Sequence, residues 1–133
     1  LISNRVQNGA LKFFQDSTDI PGYTTTQRQE AERPYFYFEL PRGQSEKIAS
    51  NLYRHSITLH GVFFASDEEQ MKKVLPSIEL RLMERDFSIQ CCDEEFMLTN
   101  EVYEDIQFNY RKSEELIATF TLRGECISSF FVS

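Results

Sequence analysis

The spacing of apolar positions changes along this chain, and each spacing predicts an element. Near the start, Val6, Ala10, Phe13 and Phe14 recur at helical intervals behind Ser3, a residue suited to capping. Gly9 weakens such a helix by about 1 kcal/mol relative to alanine. Asp16 to Thr26 reads as a loop, and Pro21-Gly22 has the order of a type II turn. Thr26 and Gln29 have capping-box spacing, which predicts a short helix over 27–32 that ends before Pro34.

Tyr35, Phe36, Tyr37 and Phe38 are consecutive, so a strand here is aromatic on both faces and belongs where both faces are covered. Pro34 and Pro41 bracket it, as suits strand ends. Ser45 then stands as the cap of a helix with Ile48, Ala49, Leu52 and Tyr53 as its stripe and His55 in its last turn. Ile57, Leu59, Val62, Phe63 and Phe64 predict a second strand over 56–65. A crossover of this length suits a right-handed parallel pair; an antiparallel pair with a strand between them is the competing topology.

Ser66-Asp67-Glu68-Glu69 matches a capping box, with Ser66 as cap. Met71, Val74, Leu75, Ile78 and Leu82 form the stripe behind it, and Glu68–Lys72 and Glu69–Lys73 are favourable i,i+4 pairs. Pro76 lies past the first turn, where it removes a hydrogen bond and costs about 3 kcal/mol in a straight helix. Arg81, Glu84 and Arg85 look like a polar helix face, so a kinked helix is expected rather than a strand through Ile78, Leu80 and Leu82. Phe87, Ile89 and Cys91 then alternate as a strand.

Beyond Cys92 the alternation is mostly of period two: Ile106–Tyr110, Leu116–Leu122, then Cys126–Val132 after an expected turn at Arg123-Gly124-Glu125. The expected fold is a single α+β domain. It has a mixed sheet of five to seven strands, helices packed mainly on one face, and an antiparallel C-terminal meander. Its parts are an N-terminal helical arm (1–33), a β-α-β-α-β unit (34–91) and the meander (92–133).

Composition narrows the function. The 133 residues suit one domain, and 41% hydrophobic with 26% charged content is ordinary for a globular chain. No apolar window is long enough for a membrane-spanning helix, and there is no signal-peptide pattern. A first residue of Leu1 is expected of a processed or excised chain, from which a leader or anchor could have been removed. A cytoplasmic location is weakly favoured. A net charge of −7 opposes nucleic-acid binding, so the aromatic strand is read as core rather than as a stacking platform for bases. Six of those charges, Asp93, Glu94, Glu95, Glu101, Glu104 and Asp105, fall between Cys92 and Tyr110 without one Lys or Arg, leaving −1 for the rest of the chain.

Candidate chemistry is sparse. His55 and His60 are the two imidazoles, and Cys91, Cys92 and Cys126 read as buried thiols of a reducing compartment, with a bond from Cys91 or Cys92 to Cys126 as the alternative. Neither zinc-ligand spacing, a calcium loop, a phosphate-binding glycine loop nor a repeat occurs, so no cofactor or metal is expected. The expected function is a non-catalytic protein-interaction or regulatory module. Asp93, Glu94, Glu95, Glu101, Glu104 and Asp105 would dock a partner protein with a basic surface, and Phe130 and Phe131 would add an exposed apolar strand. A small apolar-ligand or sensor domain is the alternative. An enzyme with a Cys/His site, Cys91 or Cys126 with His60, is third.

Overall fold

Long period-two runs dominate the middle and end of the chain, and they become the two central strands of one sheet. The computed structural model describes residues 2–24, 32–91, 94–98, 109–112 and 116–128, with side chains described for 4–24, 32–91 and 116–128. In chain order the elements are α1 (Ile2–Thr18), β1 (Gly22–Thr24), β2 (Tyr35–Phe38), β3 (Arg42–Ala49), β4 (Leu52–Phe64), α2 (Glu68–Glu84), β5 (Ser88–Cys91), β6 (Glu94–Leu98), β7 (Asn109–Lys112) and β8 (Ile117–Ser128). The eight strands form a mixed sheet in the order β1-β2-β4-β8-β6-β5, with β3 also on β4 and β7 also on β8. The mixed character comes from β1, which runs parallel to β2. The fold is the expected single α+β domain, with an antiparallel C-terminal half and both helices on one face.

β4 and β8 pair antiparallel from Tyr53↔Ser128 to Phe64↔Ile117. The alternation sends His55, Ile57, Leu59 and Phe63 of β4, with Ala118, Phe120, Leu122 and Cys126 of β8, to the buried helix side. Phe14 of α1 lies 5.1 Å from Phe36, Phe38 and Phe120, ring centre to ring centre. Phe36 also stacks on Phe63 at 4.8 Å. The predicted stripe Val6, Ala10, Phe13 and Phe14 is the buried face of α1. Gly9 is needed where α1 crosses β5: a Cβ there would lie 2.6 Å from Cys91 Sγ and 2.8 Å from the Gln90 carbonyl. Gly61 plays a similar part in the sheet, because the Phe120 ring occupies the space a Cβ would take.

The predicted helix from Ser45 to His55 is instead the β3–β4 hairpin, so 34–91 contains no first helix and no parallel crossover. Ile48, Ala49, Leu52 and Tyr53 have helical spacing by coincidence. Ser50-Asn51 is a two-residue loop, and Asn51 takes the left-handed conformation (φ 61°) that asparagine tolerates. Tyr53 to Phe64 then carries the β-branched and aromatic residues of a long strand, and pairing on both sides outweighs helix propensity. The two strands of the central unit are direct antiparallel neighbours, Tyr35↔Phe64 to Phe38↔Gly61.

β2 and β3 lie end to end along the same edge of β4. Glu39, Leu40 and Pro41 face only Leu59 and His60 between the Phe38↔Gly61 and Arg42↔Thr58 pairs, which makes a bulge at the proline. Buried Gln7 of α1 serves that break: its Nε2 donates to the carbonyls of Phe38 (3.3 Å) and Glu39 (3.0 Å).

Other boundaries move for local reasons. α1 begins at Ile2, which places Ser3 inside it. Gly22 starts β1 without a positive φ, so there is no type II turn; the left-handed residue is Asp19 (φ 59°), whose N–H donates to the Gln15 carbonyl as α1 ends. The α2 cap is Asp67, not Ser66: Asp67 Oδ1 accepts from Gln70 N at 2.9 Å, and Gln70 Oε1 accepts from Ser66 N at 2.8 Å. Glu69 instead holds Lys73 at 2.6 Å. Pro76 lies inside the continuous α2, and Met71, Leu75, Ile78 and Leu82 are its buried side. β8 runs straight through Arg123-Gly124-Glu125, because β4 pairs that stretch on one side and β6 pairs Gly124 and Glu125 on the other. The expected helix over 27–32 lies almost wholly outside the described residues.

Candidate functional site

Of the expected partner-binding residues, Glu94 and Glu95 are in β6, in register with Cys91 and Gln90 of β5. Asp93, Glu101, Glu104, Asp105, Phe130 and Phe131 lie outside the described residues, as does Cys92.

The structure separates His60 from Cys91 and Cys126. His60 is exposed on the face away from the helices, with Nδ1 3.0 Å from Thr121 Oγ1, while Cys91 and Cys126 are buried thiols on the helix side. The third-ranked alternative, a pairing of His60 with Cys91 or Cys126, therefore does not form. His55, placed by the sequence in a helix, is the buried imidazole. It is 1% exposed, with Nδ1 2.7 Å from Ser45 Oγ and Nε2 2.7 Å from Ser128 Oγ. The three side chains link β3, β4 and β8. A hydroxyl can donate or accept, so this clamp satisfies either tautomer of the ring. His55 is also the register partner of Cys126. No group of three or more His, Cys, Asp or Glu suited to a metal occurs among the described residues, and no described helix is long and apolar enough to cross a membrane.

The outward face of the sheet is graded. At one end Tyr35 stacks on Phe64 (4.5 Å) and meets Tyr23 (5.8 Å), and the Arg33 guanidinium lies 5.5 Å from the Phe64 ring centre. At the other end Arg54 holds Glu46 at 2.9 Å and approaches Glu125 at 4.0 Å. Between them a depression of about 450 Å³ opens to solvent, lined by Arg42, Gln44, Ser56, Thr58, Arg123 and Glu125 with Gly43, Ile57 and Gly124. Register puts Arg42, Thr58 and Arg123 in one row across β3, β4 and β8. With Glu125 turned to Arg54, no carboxylate of the described residues pairs with Arg42 or Arg123.

A second depression of about 430 Å³ lies between α1, the end of α2 and β5, with Lys12, Arg81 and Arg85 on its walls. Its cations are partly engaged: Lys12 is 3.9 Å from Asp16, and Arg85 lies over the Phe13 ring at 5.6 Å.

Among the elements whose side chains are described, β3 is the least covered. Seven of its eight residues are exposed; only Ser45, in the His55 clamp, is half-buried. It pairs with β4 along one edge. Sequence reasoning missed this ribbon and the arginine row because it took 45–55 as helix. The alternation His55, Ile57, Leu59, Gly61, Phe63 was the signal that the strand starts early.

No protein-family model matches the sequence, and no curated protein matches it. Among the solved structures that match, one aligns with 99% of this chain and 96% of its own, at a TM-score of 0.49 and 10% identity. A likeness of that degree carries no argument about fold or function, so the functional reading rests on the geometry of the chain itself.

Proposed function

We propose that this chain is a non-catalytic interaction or regulatory module that binds another protein. The observation that supports the reading best is β3: an eight-residue strand bare on both faces along most of its length, ladder-paired to β4. Such an edge takes an added strand through main-chain hydrogen bonds. The acidic run from Asp93 to Asp105 adds a sequence-level reason to expect a basic region on the partner. The reading is tested by purifying the native protein with whatever it binds and repeating the capture with two variants. Lys47→Pro on β3 is expected to reduce capture. Joint charge reversal at Glu94, Glu95, Glu101 and Glu104 is expected to weaken it further. Unchanged association in both variants sinks the proposal.

A further inference from the structure

We infer that the row Arg42–Thr58–Arg123 is a seat for a carboxylate carried by an extended acidic segment of the partner protein. The inference deepens the protein-binding reading and rests on it. Strands lie about 4.8 Å apart, so the two arginine Cα atoms, one strand removed from each other, stand about 10 Å apart. Their side chains are long enough to converge above Thr58, which lines the floor between them. Ser56 and Gln44 extend the same wall with further polar groups. Planar guanidinium forks match carboxylate geometry with two parallel hydrogen bonds each.

Charge selects the occupant. Arg54, one step along the face, already holds Glu46 and draws Glu125, so Arg42 and Arg123 are the cations left facing the depression. A carboxylate there relieves the repulsion between them. Among the described residues β3 pairs with β4 alone, and it begins at Arg42 itself, so a segment laid along its other edge carries its side chains beside the row.

The probe is fluorescein-labelled hexaglutamate, read by anisotropy on the full chain, with hexaglutamine and inorganic phosphate as comparison ligands. Hexaglutamate is expected to bind more tightly than hexaglutamine, and Arg42→Gln with Arg123→Gln together to weaken it about tenfold. Lys72→Gln, on α2 across the sheet from the row, is expected to leave it within about twofold. Thermal melts of the variants verify folding. Equal binding of the two peptides, or an unchanged affinity in the double variant, overturns the inference. So does phosphate displacing hexaglutamate at equal concentration, which marks a seat for a free anion. If the peptide fails while partner capture persists, the seat is wrong and the interaction module stands.

Discussion

Gly9 shows how a single residue can be misjudged by propensity. In an exposed helix, glycine to alanine gains about 1 kcal/mol. Here the added methyl meets Cys91 Sγ and the Gln90 carbonyl, and overpacking of that kind costs about 1–3 kcal/mol. Gly9→Ala is therefore expected to lower the unfolding free energy, read as a reduced urea midpoint; a raised midpoint would mean that α1 does not approach β5 this closely. The same reasoning applies to His55. Removing the ring in His55→Ala leaves the Ser45 and Ser128 hydroxyls without that partner and opens a hole beside β8, for an expected loss of about 2–3 kcal/mol. Ser128→Ala, which removes the bond to His55 Nε2 and little volume, should cost about 1 kcal/mol in the same titration.

Among the elements, the helices were legible and their caps were not. The α1 stripe follows from apolar spacing, and for α2 the polar positions Arg81, Glu84 and Arg85 decided for a helix past Pro76 over the competing strand. The α2 cap moved from Ser66 to Asp67 because both side chains can cap and Gln70 can complete the box from one residue further on. Asp67→Ala is expected to lower stability by about 1 kcal/mol and Ser66→Ala by less, as compared by thermal melting; the reverse order would restore the original reading. The β3–β4 hairpin was hidden for a different reason. Two apolar residues on each side of Ser50-Asn51, Ile48-Ala49 and Leu52-Tyr53, fit a helix as well as two strands, and the choice was made by partners distant in sequence. The arginine row shared that fate, since Arg42 and Arg123 are neighbours only through β4. Of the expected acidic and Phe130/Phe131 residues, Glu94 and Glu95 alone fall among the described residues.

At the scale of the whole molecule, one ring joins the layers. Phe14 contacts rings from β2 and β8 and is wholly buried. Phe14→Ala is expected to remove about 3–5 kcal/mol, most of the stability of an ordinary domain, with loss of near-ultraviolet aromatic circular dichroism at temperatures where the parent is folded. A variant that keeps its melting temperature would show that α1 is not fastened to the sheet through this ring. The long β4–β8 ladder joins residues from 53 positions apart, Phe64 with Ile117, to 75 apart, Tyr53 with Ser128. During synthesis from the N-terminus, the ribosome therefore delivers β4 long before its main companion is made. Leu59 and Phe63 must wait, and a nascent chain stalled short of residue 117 would offer chaperones an unzipped, greasy flank.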